Sequence, residues 1–184
     1  MRRGCYCDGA MEIVHTARVD SPIGSLRLAS TSEGLAYVEL PHANGRGLAG
    51  WLRRAAPDAR CVEGYAPNRQ AIREIQEYLE GKRTSFGLAL DLRGTPFQLE
   101  VWSALRAIPY GETRSYAEIA REVGRPAALR AVGSANGANP LAIVVPCHRV
   151  IASGGRLGGY GGGLALKARL LAMEQSRPAQ GLLL

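Results

Sequence analysis

An unbroken apolar run, Leu141–Val145, ends at a proline and constrains the fold more than any other feature of the chain. Such a run is typical of a strand that is buried on both faces. Pro146 has no N–H to donate to a sheet and cannot extend a helix, so the strand is predicted to stop here and the chain to turn. Cys147 is thereby predicted to lie at the mouth of a buried strand, beside His148.

Cys147 and His148 are candidates for nucleophilic chemistry. A free thiol has a pKa of about 8.5 and burial lowers the thiolate fraction further, so a reactive Cys147 needs a base. His148 is the nearest one, but neighbouring residues of an extended strand point to opposite faces, so the contact requires a bend or a bridging water. For an arbitrary Cys-His pair, a small buried cysteine and a capped surface histidine are the alternative.

The net positive charge is concentrated in the second half of the chain. Residues 93–184 carry 11 Lys and Arg against 5 Asp and Glu, whereas residues 1–92 carry 12 against 11. Of the 23 basic residues 21 are Arg, a side chain suited to planar contacts with phosphates and bases. This distribution indicates a polyanionic partner, with a merely soluble basic surface as the alternative.

The four cysteines, at positions 5, 7, 61 and 147, lack the density of a disulfide framework. With no signal peptide and no apolar run of about 18 residues, we expect a cytoplasmic protein, nucleoid-associated if bacterial, with no membrane partner. Cys5 and Cys7 could hold zinc with Cys61, His15 or His42. We expect no metal and no cofactor, because thiolate zinc sites more often use two-residue spacings.

The overall pattern predicts an α/β (α+β) fold in two parts. Residues 1–92 are predicted to form a small sheet-containing domain, in which alternating residues over Val19–Leu40 indicate a hairpin or meander. Asn68 is predicted to cap its one helix, which ends at Gly81 before a linker to Gly94. Residues 1–10 and 176–184 are predicted to be disordered tails.

Residues 93–184 are predicted to form a mainly helical domain with helix-turn-helix spacing. Thr95–Gln98 and Ser115–Glu118 are capping boxes that each begin a helix. Gly124 and Arg125 make a turn, and Pro126 is predicted to start a helix that runs to about Ala135. The glycine-rich segment 153–163 is predicted to be a loop, with a hairpin wing as an option, and it lacks the Gly-Lys-Ser/Thr ending of a nucleotide-binding loop.

Six segments, taken in order, resemble the O6-alkylguanine-DNA alkyltransferases, also called methylated-DNA–protein-cysteine methyltransferases. The resemblance covers most of residues 95–174, whereas residues 1–90 are similar only loosely. An ordered set of this kind is far more specific than any one short motif. The segments are Pro109–Thr113, Ser115-Tyr116, Arg130–Gly133, Asn136–Pro140, Pro146–Val150 and Gly158–Leu164.

The resemblance implies a catalytic set of five residues. Cys147 would be the nucleophile and alkyl acceptor, His148 its base through a water, and Glu174 the carboxylate that orients His148. Tyr116 would hydrogen-bond the leaving guanine, and Asn139 would support the loop that carries Cys147. The implied fold of this half is winged-helix-like.

The resemblance also implies binding in the DNA minor groove, with the damaged base rotated out of the duplex. Arg130 would enter the base stack as a wedge, while small residues of the same helix let the backbone approach the DNA closely. The other implied DNA contacts are Ala128, Ala131, Gly133, Arg125 and Arg149. The implied contacts to the base are Val150, Ile151, Tyr160 and Gly161.

The implied function is repair of double-stranded DNA that contains O6-alkylguanine, by a protein that is monomeric or binds DNA cooperatively. Each molecule would react once, because a thioether has no easy hydrolytic exit. Two other classes stay open at this point. A lesion-binding protein without transfer activity would not need Cys147, and a cysteine hydrolase would leave the basic second half unexplained.

Overall fold

The computed structural model describes residues 11–41 and 47–176. In these ranges a four-stranded sheet has the order β3-β2-β1-β4. It consists of β1 (Ile13–Ser21), β2 (Gly24–Ser30), β3 (Leu35–Glu39) and β4 (Arg60–Glu63). β1 and β2 pair antiparallel, as do β2 and β3, so the predicted meander is confirmed. β4 pairs parallel to β1 at the opposite edge.

Two helices accompany this sheet, where one was predicted. The additional helix, α1 (Gly47–Ala55), buries Leu48 and Trp51. The predicted helix, α2 (Tyr65–Leu79), starts before Asn68, so the assignment of Asn68 as its cap was wrong. The Asn68 side chain is fully buried and instead bonds the hydroxyl of Ser30 and the carbonyls of His15 and Gly64. It joins the helix to the sheet.

The segment predicted as a linker is held by hydrogen bonds along its length. The N–H of Leu35 donates to the carbonyl of Ala89 at 2.9 Å, and the N–H of Asp91 donates to the carbonyl of Leu35 at 2.9 Å. The buried carboxylate of Glu74 accepts the N–H of Gly87 at 2.8 Å. One apolar core, which includes Leu28 and Trp102, extends across residue 93, and the division into two domains stays a prediction.

The second half contains the predicted helix-turn-helix. α3 (Pro96–Arg106) and α4 (Tyr116–Glu122) both begin with the predicted capping boxes. α5 (Leu129–Gly137) begins three residues later than Pro126, because Ala128 N–H bonds the carbonyl of Arg125 and closes a separate turn first. The three helices pack against one another. A short parallel pair, β5 (Arg114–Ser115) and β6 (Val150–Ile151), lies beside them.

The apolar run Leu141–Val145 is buried but is not a strand. Ile143 has a left-handed backbone (φ 74°), and the N–H of Val145 bonds the carbonyl of Leu141 at 2.8 Å, which closes a tight turn. Tertiary packing on all sides, rather than sheet pairing, explains its apolar composition. Pro146 then leads into a 3₁₀ turn, Cys147–Arg149, so the predicted change of direction is confirmed.

The last helix, α6 (Leu164–Ser176), packs against this 3₁₀ turn. Glu174 lies in its last turn. No predicted hairpin wing is present at 153–163, where a single 3₁₀ turn, Ser153–Gly155, interrupts the loop. Over residues 11–41 and 47–176, no helix has the length and apolarity that crossing a membrane requires.

Candidate active site

Cys147 lies at the inner wall of a cavity of about 250 Å³. The thiol-bearing residue is only 6% exposed. Tyr116, Gly133 and Asn139 line the cavity from the helix-turn-helix side, and Tyr160 and Gly161 line it from the glycine-rich loop. Leu40, at the end of β3, adds a wall from the N-terminal half. Four separated segments of the sequence thus meet around one sulfur atom.

The Cys147 thiol is protonated at rest. Burial raises its pKa, and this outweighs the lowering by the Asn139 amide, the Lys167 charge and the nearby backbone N–H groups. A thiol with a raised pKa is a poor nucleophile at neutral pH. Reaction at Cys147 therefore needs a base within reach of the sulfur.

His148, the residue after Cys147, forms a buried pair with Glu174. His148 Nε2 lies 2.9 Å from Glu174 Oε1, and both side chains are fully buried. Burial lowers the pKa of His148, although Glu174 acts in the opposite direction, so the imidazole is neutral at neutral pH. A carboxylate only accepts hydrogen bonds, so Nε2 carries the proton. Nδ1 is left with its lone pair and has no hydrogen-bond partner within the described residues.

Arg149 also belongs to this buried cluster, so its prediction as a DNA contact is corrected. Its guanidinium is 2.9 Å from both oxygens of Glu174 and donates to the carbonyl of Ile108 at 2.7 Å. With its donors directed inward and its side chain buried, Arg149 does not face DNA. Burial would raise the pKa of Glu174, but the bonds from His148 and Arg149 lower it to about 2.

Asn139 fixes the loop in front of Cys147. Its amide donates to the carbonyl of Val145 at 2.8 Å, and its carbonyl accepts the N–H of Leu141 at 2.9 Å. Both bonds close the turn that replaces the predicted strand. Asn139 thus supports the loop, because its side chain bonds the backbone of both Leu141 and Val145 and joins them to the segment that follows α5.

Tyr116 and Tyr160 bring two phenols to the cavity. Burial raises the pKa of each, and the nearby Cys147 acts in the same direction, so both remain protonated donors at neutral pH. The Tyr116 ring packs against Gly158, where a Cβ would lie 3.2 Å from it, and this glycine also has φ +65°. The loop can approach Tyr116 this closely only with glycine at that position.

The site contains a charged residue that the sequence analysis missed. Lys167 on α6 is fully buried, and its ammonium donates to the carbonyls of Val150 at 2.5 Å, Gly159 at 3.3 Å and Leu157. Burial lowers its pKa, and the neighbouring Cys147 partly offsets this. A signal was available, because Lys167, Leu170, Leu171 and Glu174 have the spacing of one buried helix face.

We expect Lys167→Met to loosen the glycine-rich wall of the cavity. Three carbonyls would lose a charged donor, which should cost about 2–3 kcal/mol of unfolding free energy. Urea denaturation measures the loss, with Lys82→Met as the control, since Lys82 is the only other lysine and is exposed. Equal effects of the two variants would contradict a structural role for Lys167.

Of the other predicted DNA contacts, Arg130 and Gly133 lie beside the cavity. Arg130 and Ala131 are exposed near the start of α5, and Gly133 borders both the Cys147 cavity and a neighbouring surface groove with Arg130. Ala128 is half-buried at the cap of the same helix. Arg125 is exposed but is already paired with Glu100 at 3.2 Å and stacked on Phe97.

The structure gives less direct support to Val150 and Ile151 as contacts to the base. They pair with β5 and do not line the Cys147 cavity. The Val150 carbonyl already accepts Lys167, and its N–H bonds the carbonyl of Cys147. Their part in base binding stays a prediction.

The zinc alternative cannot be followed through all its residues. Cys5, Cys7 and His42 lie outside the described residues, while Cys61 and His15 are on the paired strands β4 and β1. In the described part of the chain, no three His, Cys, Asp or Glu side chains form a group that could hold a metal.

Comparison with known proteins identifies the family to which this chain is similar. The family model for the DNA-binding domain of 6-O-methylguanine DNA methyltransferase matches residues 96–176. The methylated-DNA–protein-cysteine methyltransferase of Mycobacterium tuberculosis H37Rv is 48% identical over 168 residues, which cover 90% of this chain and 94% of that protein. The enzyme of the same name from Methanosarcina acetivorans is 46% identical over 163 residues, with 89% and 99% covered.

Solved structures show the same relationship. The crystal structure of M. tuberculosis OGT in complex with DNA superposes with a TM-score of 0.79 at 46% identity, and covers 90% of this chain and 96% of that one. Fold and site together define a DNA-binding repair enzyme that transfers a methyl group. The chain belongs to the methylated-DNA–protein-cysteine methyltransferase family.

Proposed function

We propose that the protein binds duplex DNA in the minor groove, rotates O6-alkylguanine out of the stack and transfers the alkyl group to Cys147. One observation carries the proposal. The Cys147 thiol lines a cavity beside the exposed helix α5, with a neutral, hydrogen-bonded His148 buried behind it. A nucleophile, a base and an opening towards a DNA-binding helix are thereby in one place.

The transfer is a displacement at the alkyl carbon. His148 Nδ1 takes the thiol proton through a water molecule, and the Cys147 sulfur forms a bond to the carbon as the carbon–oxygen bond to guanine O6 breaks. The electron pair of the broken bond stays with the guanine. Tyr116, a protonated phenol in the cavity wall, donates to that base as its negative charge develops. Glu174 stabilises the imidazolium that results.

The surface of α5 supports a close approach to DNA. Ala131 and Ser134 are exposed and small, and Gly133 opens the surface towards Cys147. Small side chains let a helix backbone come near the sugar–phosphate walls of the minor groove. The base must leave the duplex, because O6 of a stacked, paired guanine cannot reach a sulfur buried in this cavity.

The reaction ends with an alkylated Cys147. The product is a thioether, which has no carbonyl for water to attack, so the sulfur is not regenerated. Each molecule therefore repairs one lesion. A cysteine hydrolase with the same Cys–His pair would instead release its product and turn over.

A duplex with a single O6-methylguanine tests the proposal. The protein is incubated with excess duplex, and the mass of the Cys147 peptide is measured together with the number of lesions removed. One methyl per molecule on Cys147 is the expected result. Binding without any gain of mass would mean a lesion-recognition protein, and removal of many lesions per molecule would mean a turnover enzyme.

We expect Arg130→Ala to slow repair in duplex DNA more than in a single strand. The exposed guanidinium would fill the gap left by the rotated base, and extrusion costs a few kcal/mol, so losing part of this compensation should reduce the duplex rate about 10- to 100-fold. The rate on a short single strand should stay within about twofold. Arg69→Ala, which removes an exposed charge from α2, is the control. A uniform loss on both substrates would indicate a phosphate contact instead.

A further inference from the structure

A tyrosine from the N-terminal half reaches the acid–base pair. Tyr78 lies near the end of α2, where its position on the apolar face predicts only a core aromatic. The side chain is fully buried, but its hydroxyl donates to Glu174 Oε1 and lies 3.2 Å from His148 Nε2. Its partners are 70 and 96 residues away in the sequence.

The direction of these hydrogen bonds is fixed by chemistry. The phenol has one proton, and the carboxylate can only accept, so the Tyr78 hydroxyl donates to Glu174. Its oxygen is then free to accept from the Nε2–H of His148, which also points at Glu174. Burial raises the pKa of Tyr78 and the Glu174 charge acts in the same direction, so the proton stays on the phenol.

The Tyr78 ring is held in place from two sides. Phe86, on the segment that follows α2, packs with its centroid 5.3 Å away, and Tyr110 packs edge-on at 6.1 Å. A hydroxyl on a ring fixed in this way meets the carboxylate at a set position. Rigid support of this kind is what a group needs in order to hold a catalytic side chain in one orientation.

We propose that Tyr78 is a positioning residue for the alkyl transfer: its hydroxyl holds the Glu174 carboxylate against His148 and keeps the imidazole neutral. The inference rests on the proposed function. A carboxylate that already accepts a strong hydrogen bond stabilises a neighbouring imidazolium less, so the neutral imidazole is favoured. The N-terminal half thereby takes part in the chemistry of Cys147, from which Tyr78 is separated by the His–Glu pair.

Several other groups also face this site, and the charges of Glu174, Arg149 and Lys167 act on the pKa of His148. They are Glu174 and Lys167 from α6, Arg149 and Cys147 from the 3₁₀ turn, and Tyr160 from the glycine-rich loop. The guanidinium of Arg149 also lies 5.7 Å from the Tyr110 ring. Tyr78→Phe leaves all of them in place and removes a single oxygen atom. Tyr65→Phe is the matched control, because it removes one hydroxyl from an exposed side chain of the same helix.

The rate of methyl transfer to Cys147 is measured for both variants and the unmodified protein from pH 5 to pH 9. In Tyr78→Phe, Glu174 should stabilise the imidazolium more strongly, which raises the pKa of His148. The rate should therefore begin to fall at a higher pH than in the unmodified protein. We expect a rate about 3- to 10-fold lower near pH 6 and within about twofold near pH 8.5. One methyl per molecule should still be transferred. Tyr65→Phe should leave the rate unchanged at every pH.

The outcomes separate the two proposals. A Tyr78→Phe profile that runs parallel to that of the unmodified protein overturns the role of Tyr78 and leaves the alkyl transfer standing. Absence of methyl transfer in the unmodified protein overturns both. If Tyr78→Phe does not fold, imidazole ¹⁵N NMR of the unmodified protein decides. We expect His148 to stay neutral, with its one proton on Nε2, at pH values well below 6.5. A His148 that becomes protonated near pH 6.5 overturns the inference.

Discussion

Cys147→Ser abolishes methyl transfer and leaves duplex binding within about twofold. The hydroxyl is close in size to the thiol, so the cavity and the α5 surface are retained, but an alcohol is far harder to deprotonate and is a much weaker nucleophile than a thiol. His148 has a lowered pKa and is too weak a base to compensate. The rate should fall by at least about a thousandfold.

The measurement for Cys147→Ser is the mass of the peptide containing residue 147 after incubation with the methylated duplex, together with a binding titration at fixed salt. Cys61→Ser is the control, because Cys61 is the exposed free cysteine on β4. We expect full methyl transfer in that variant. Methylation of the Cys147→Ser protein at another cysteine would show that the acceptor has been assigned wrongly.

Glu174→Gln has the largest expected effect on stability. The change keeps the shape of the side chain but leaves the buried guanidinium of Arg149 without its counter-charge, and breaking a buried ion pair in this way costs about 3–5 kcal/mol. For a chain of this length the melting temperature should fall by about 10 °C. The orientation of His148 is weakened too, so the transfer rate should fall about 10- to 100-fold.

The stability difference between the unmodified protein and Glu174→Gln should depend on pH. The pKa of Glu174 in the folded protein is about 2, below its ordinary value of 4.5. The charged carboxylate therefore contributes its full stabilisation above pH 4.5, and this contribution is lost as the pH falls towards 2. Denaturation should show a large difference in unfolding free energy between the two proteins at pH 7 and a smaller difference at pH 3.

Two further variants make the Glu174 result interpretable. Glu63→Gln removes an exposed carboxylate from β4 and should change the unfolding free energy by less than about 0.5 kcal/mol. The double variant Glu174→Gln/Arg149→Met removes both charges and should recover part of the lost stability, because no buried ion is left unpaired. A double variant that is less stable than Glu174→Gln would contradict this account.

The parts of the structure that rest on local chemistry could be predicted from the sequence. The capping boxes at Thr95 and Ser115 join atoms only three residues apart, so their signals are complete within a short segment. The turn at Pro146 could be predicted in the same way, because the proline itself stops the preceding segment. Asn68 shows the limit of such signals, since a residue type that commonly caps helices here bonds across to the sheet instead.

The resemblance to a known family pointed to Cys147 and to the His148–Glu174 pair, which the structure places in contact, but not to the residues that surround them. The resemblance implied that Arg149 contacts DNA, yet its side chain is buried against Glu174. The sequence places Lys167 and Tyr78 each on a buried helix face, but gives no indication of their partners. Their partners lie 8 to 96 residues away, so only the folded chain brings them together.

The sequence by itself determined that a thiol follows a buried segment ended by proline, that a helix-turn-helix precedes it and that the second half is basic, because composition and short-range capping express these directly. The tertiary structure alone decided that Leu141–Val145 is a turn, that Arg149 points inward and that Tyr78 meets Glu174. Burial and hydrogen-bond partners between distant residues depend on how the elements pack, and a residue's type does not specify them.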